Sequence, residues 1–213
     1  MMHPIGRKEL WHAQLVFLLA VALQFTIPSQ LRWGDNYTLA IIELVLVAGI
    51  GITAPKRHIS FRNFNRTIAV LLIGLVSFAN VSSLALVING LLNGSQVPGK
   101  QLVVAAFAIF ITNIIVFSLW YWELDSPGLT GAKKHDAKPK FDFPQMESKL
   151  KEGESWEPTF FDYLYVSITN ASAFSPTDTL PLTHMVKAIM STQALISLLT
   201  VVLVTARAVN ILG

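Results

Sequence analysis

The residues with the clearest chemical promise lie together, as Thr169, Asn170, Ser172, Ala173, Phe174, Ser175, Pro176, Thr177 and Asp178. Hydroxyl and backbone oxygens beside a single carboxylate can replace part of a cation's hydration shell, and a ring of such carboxylates would concentrate cations. Other chemistries lack their residues. The absence of cysteine removes disulfides, thiol nucleophiles and thiolate metal sites. The five histidines, His3, His12, His58, His135 and His184, show no zinc-ligand spacing. There is no glycine-rich phosphate loop, nucleophile elbow or pair of carboxylates placed for acid–base work. The expectation is therefore no enzyme, no metal and no cofactor.

The elements around this stretch are dictated by composition. The chain has 213 residues, of which 53% are hydrophobic and 14% charged, with a mean hydropathy of +0.53. Soluble domains carry about a quarter charged residues. The chain is too apolar for a nucleic-acid-binding module, and its net charge of +3 comes from loop lysines and arginines rather than a basic face. An all-α integral membrane protein in contact with the lipid bilayer follows.

Apolar runs predict five transmembrane helices, at Leu10–Ile27, Tyr37–Ala54, Thr67–Leu92, Leu102–Trp122 and Leu182–Leu212. Pro28 and Pro55 close the first two. Trp120-Tyr121-Trp122 ends the fourth as an interfacial aromatic belt would. Residues 123–157 mix lysines and acids with Gly128, Gly131, Pro139 and Pro144, and read as an aqueous loop. The apolar or small run 160–173 is shorter than the about 20 residues a span needs. Residues 174–181 follow it, and Pro176 and Pro181 bar them from regular helix. A short helix, an irregular polar stretch and a full span form the pattern of a re-entrant loop, because irregular backbone at membrane depth must be buried in protein or line a cavity. An interfacial helix followed by an ordinary loop is the plainer alternative. The chain thus divides into a three-helix region, 1–98, and a pore-loop domain, 99–213.

Further polar residues stand within the apolar runs. Glu43 is an ionisable group near the start of the second, where a partner on a neighbouring helix would give it a structural role. Asn80 and Asn113 fall mid-helix, where hydrogen bonds between helices are their usual use. Lys187, early in the last helix, could snorkel to the interface, and Gln193 lies further along it. Counting Lys and Arg by side gives twelve for the N-terminus, the second connection and the long loop, against three (Arg32, Lys100 and Arg207) opposite. That excess places the N-terminus inside, in a membrane expected to be a bacterial cell membrane.

Tyr163-Leu164-Tyr165-Val166-Ser167-Ile168-Thr169 followed by Asp178-Thr179-Leu180-Pro181-Leu182-Thr183 resembles the pore-helix and filter region of potassium-channel-like proteins. The last helix, with Gln193 and Thr205-Ala206-Arg207, is similar to an inner helix. The likeness covers residues 100–212. WYWELD (120–125), FPQM (143–146) and TNASAFSPTDTLPLT (169–183) resemble, over most of the chain, an uncharacterised bacterial integral membrane family. The channel resemblance implies a homotetramer passing monovalent cations. Aligning Asp178 with the filter aspartate puts Ser175-Pro176-Thr177 where Gly-Tyr-Gly would stand, and proline cannot follow a carbonyl-lined filter. The resemblance also brings the pore loop in from outside, which opposes the orientation read from charge.

Two functions remain open. One is a cation pathway shared by several copies through this loop. The other is a non-conducting scaffold or accessory subunit on the same fold, with Phe174 and Pro176 plugging the path. A secondary transporter is weaker, since paired broken helices in two halves are missing.

Overall fold

The computed structural model describes residues 7–32, 41, 44, 45, 62–93, 97–125, 138–147, 156–175 and 178–212. In chain order these form α1 (Arg7–Gln24), a 3-10 turn (Ser29–Leu31), α2 (Arg62–Asn93), α3 (Gly99–Asp125) and β1 (Phe141–Asp142). A single-turn α4 (Pro144–Glu147), α5 (Phe160–Ser172), β2 (Leu180–Pro181) and α6 (His184–Leu212) complete the order.

Among the described residues three helical stretches are long and apolar enough to cross a membrane: Arg66–Asn93, Gly99–Asp125 and His184–Ala206. These match the third, fourth and fifth of the five expected spans. The apolar part of α1, Trp11–Gln24, falls short of the about 20 residues required. The expected span over Leu10–Ile27 ends early because Phe25, Thr26 and Ile27 turn back onto the carbonyls of Ala22, Leu23 and Gln24. Thr26 Oγ1 also donates to the Leu23 carbonyl at 2.7 Å, just ahead of Pro28. Most of the expected span Tyr37–Ala54, with Glu43, lies outside the described residues.

α3 is the central post, and α1, α2, α5 and α6 all pack against it. Each neighbour buries one helical stripe. In α2 it is Ala69, Leu72, Ile73, Val76, Asn80, Ser83, Leu84 and Val87, spaced as the 3.6-residue period demands. In α6 it is Val186, Met190, Gln193, Ser197 and Thr200, while Leu195, Leu198, Leu199, Val201 and Val202 face outward. Polar residues inside and leucines outside invert the pattern of a water-soluble helix. A bilayer as solvent accounts for it, since lipid accepts the leucines and only protein can satisfy the polar groups.

Some of the described residues in the connection after α3 are buried, where 123–157 is expected to be an aqueous loop. Glu123 is 1% exposed inside the last turn of α3, and its Oε1 lies 3.6 Å from Nε of Arg66 on α2. Phe141 and Phe143 are buried. Phe141 stacks edge-on to Tyr121 and Tyr163, with ring centroids 5.4 and 5.9 Å apart. Phe143 meets Tyr163 and Trp156 at 5.5 Å each. The charge of this segment hid two aromatics spaced i, i+2, the period of a strand that buries one face. Tyr121 and Trp122, expected in an interfacial belt, are fully buried under this aromatic cap and Phe160.

Candidate functional site

The region that the sequence singles out is held by α5. Its start is set locally: Asp162 Oδ2 accepts the backbone N–H of Thr159 at 2.7 Å and its hydroxyl at 2.8 Å. This reciprocal cap satisfies groups that a helix start leaves orphaned. One face of α5 is buried (Phe160, Tyr163, Val166, Ser167, Asn170 and Ala171). Phe161, Tyr165 and Ile168 face outward.

Tyr163 fastens the start of α5 to the end of α3 by donating to Asp125 Oδ2 at 2.6 Å. Burial, reinforced by the Asp125 carboxylate, pushes the Tyr163 hydroxyl well above its usual range, so it stays a donor. The other Asp125 oxygen accepts the Lys140 backbone N–H at 2.5 Å. Lys140 Nζ donates to the Leu124 carbonyl at 2.5 Å.

Deeper, side chains of α3, α5 and α6 form a closed polar circuit. Tyr121 donates its hydroxyl proton to Gln193 Oε1 at 2.5 Å. Asn170 Nδ2 donates to the same oxygen at 2.8 Å, to the Met190 carbonyl at 3.0 Å and to Tyr121 Oη at 3.3 Å. Gln193 Nε2 donates to Ser167 Oγ at 2.7 Å and to the Ser167 carbonyl at 3.0 Å. Ser167 Oγ in turn donates to the Ile114 carbonyl at 2.6 Å. One turn away, Asn113 Nδ2 reaches Ser197 Oγ at 2.8 Å and the Gln193 carbonyl at 3.3 Å. Tyr121, Ser167 and Gln193 each use donor and acceptor alike, and that satisfaction is what makes a buried polar network stabilising. Asn113 Oδ1, Thr112 Oγ1 and, on α2, Asn80 Oδ1 are buried without a hydrogen-bond partner among the described residues.

α5 therefore runs beside α3 from the Asp125 end until Ser167 meets Ile114, near the middle of α3. After α5 the backbone turns at Phe174, which adopts φ 55°, a left-handed value that costs a residue with a Cβ about 1–2 kcal/mol. The chain then returns to the end it came from. Leu180 and Pro181 pair antiparallel with Asp142 and Phe141, and Leu182 N–H donates to the Lys140 carbonyl at 2.8 Å.

The expected lining residues separate under this geometry. Ser172, Ala173, Phe174, Ser175 and Asp178 are exposed, and Thr169 is half-buried. Thr169 and Ser172 return their hydroxyls to carbonyls of their own helix. Pro176 and Thr177 lie outside the described residues. Asn170, grouped with the lining residues by sequence, is 3% exposed and turned into the circuit instead. Gln193 and Asn113 join it, whereas Lys187 is exposed. Tyr121, Ser167 and Asp125 belong to the site and carry little sequence signal. The i, i+3 pair Ser167/Asn170 and the i, i+4 pair Gln193/Ser197 are the patterns that would have pointed to it. Among the described residues no group of His, Asp or Glu gathers into a metal-holding cluster. Neither family models, nor curated proteins, nor solved structures yield a match to this chain.

Proposed function

We propose that the chain is one subunit of a membrane cation pathway, in which each copy contributes α5 and residues 173–181 as a re-entrant loop around a shared axis. The observation that carries the reading is the in-and-out path. Tyr163 is tied to Asp125 at one end of α3 and Ser167 to Ile114 at its middle, and Leu180 is back beside Asp142. A 13-residue helix is about 20 Å long, enough to reach mid-membrane and not to cross. Its far end opens into Ser172, Ser175 and Asp178, all exposed. The resemblance of 163–183 to a pore-helix and filter region supports four copies. Repeated around an axis, the Asp178 carboxylates attract cations and the hydroxyls take over part of the hydration shell. Spans outside α3, α5 and α6 hold this unit from the periphery.

Phe174 supports the competing reading, a non-conducting scaffold. Its side chain is 45% exposed at the point where a filter would begin, in a position to plug the path. Cation flux into proteoliposomes bearing the wild type or Asp178→Asn separates the two. The pathway reading expects flux in the wild type and a clear reduction in the variant. Wild-type flux unaltered by the substitution removes Asp178 from the pathway.

A further inference from the structure

The two ends of α5 are held by different elements. Its start is fixed to α3 and to the segment that follows α3: Tyr163 donates to Asp125, and the rings of Phe141 and Phe143 meet the Tyr163 ring edge-on. Halfway along, Ser167 still reaches α3 through the Ile114 carbonyl. Past Ser167 the hold passes to α6. Asn170 Nδ2 lies 2.8 Å from Gln193 Oε1, 3.0 Å from the Met190 carbonyl and 3.3 Å from Tyr121 Oη. An amide nitrogen carries two protons, and the two shorter contacts, both on α6, take them. Thr169 and Ser172 return their hydroxyls to carbonyls of α5 itself and so do not anchor its far end to a neighbour. Of the three spanning helices, α6 is also the least enclosed, with 28% of its span buried against 44% for α2 and 72% for α3.

We propose that Asn170 and Gln193 are positioning residues, through which α6 sets where the far end of α5 stands while α3 sets where its start stands. Ser172 and Ser175 are exposed just beyond Asn170, so their place in the protein follows from this pair. A displacement of α6 is carried through the buried bonds to that polar end, with Ser167 at Ile114 as the pivot. The inference concerns the position of these groups and holds for a conducting or a non-conducting chain.

The chain has no cysteine, so pairs of spin labels on introduced cysteines report single distances. One pair joins Val81→Cys on α2 to Ser172→Cys at the far end of α5, and the other joins Val81→Cys to Tyr165→Cys before the pivot; all three positions are exposed. Labelled full chain is diluted into an excess of unlabelled chain in proteoliposomes, so that pulsed electron paramagnetic resonance reads distances within one copy. Both pairs should give one narrow distance in the otherwise unaltered protein. In Asn170→Ala the pair at Ser172 should lose its single narrow distance while the pair at Tyr165 keeps its own, and Gln193→Leu should act in the same direction. Should Gln193→Leu fail to fold, Asn170→Ala decides alone, because it leaves the bonds from Gln193 to Tyr121 and Ser167 in place. Two unchanged distances in Asn170→Ala overturn the proposal. Loss of both distances in that variant overturns it too, since the pair would then hold the whole fold rather than one end of α5. A Ser172 distance already broad before Asn170 is replaced does the same.

Discussion

α3 and α6 are built from the same kinds of residue and end in opposite surroundings. Over their span-forming stretches, 72% of α3 is buried within the chain and 28% of α6. Apolar composition states only that both suit a bilayer. What decides the facing of α6 is its polar stripe of Gln193, Ser197 and Thr200, which turns inward while its leucines turn out. In lipid a leucine gains little by leaving the solvent, so packing and interhelical hydrogen bonds choose the interface. The same contrast divides α5, whose buried face is committed to α3 and α6 while Tyr165 and Ile168 face outward and Phe161 meets His12 of α1 with ring centroids 5.0 Å apart.

That division has consequences of graded size. The largest should come from Phe141→Ala, which removes the ring wedged between Tyr121 and Tyr163 and opens a cavity worth about 4 kcal/mol. It also loosens the anchorage of Leu180–Pro181. Unfolding in detergent micelles, followed by near-ultraviolet circular dichroism, measures the loss. A change below about 1 kcal/mol would mean that the cap contributes little to holding α5.

Gln193→Leu should cost about 3 kcal/mol, since Tyr121 loses its acceptor and Asn170 and Ser167 each lose a partner in a buried setting. Gln193→Glu should cost as much or more, since it loses the Nε2 donor and turns a second carboxyl oxygen toward the Ser167 carbonyl in a buried site. A Gln193→Leu loss below about 1 kcal/mol would show that shape rather than hydrogen bonding sets the contact. On the exposed side the sign reverses. Phe174→Gly should stabilise by about 1 kcal/mol, because glycine adopts φ 55° without the Cβ penalty. A destabilised variant would instead place the Phe174 ring in a contact made between copies.

The limits of α5 were legible because local chemistry sets them. The Thr159/Asp162 cap starts it, the prolines that follow prevent its continuation, and the expected 160–173 became Phe160–Ser172. Asn113 and Gln193 were legible as polar groups out of place in apolar runs, although their meeting was not. The fate of Tyr121 was hidden, since an aromatic at a helix end suits either an interface or a core. Its burial depends on Phe141, which arrives from a charged segment 20 residues later. Glu123 reads as solvated in the sequence for the same reason: its counter-charge, Arg66, is supplied by another helix. The first span was overestimated because hydropathy continues through Phe25–Ile27 after the helix has ended.

On the proposed reading, α5 and residues 173–181 are completed by further copies of the chain around a shared axis. The most direct test is the mass of the intact complex extracted from membranes, measured by native mass spectrometry. A homotetramer is the predicted result, which would place four Asp178 side chains around one axis. A monomer would leave no shared axis for the loop to line and would contradict the account.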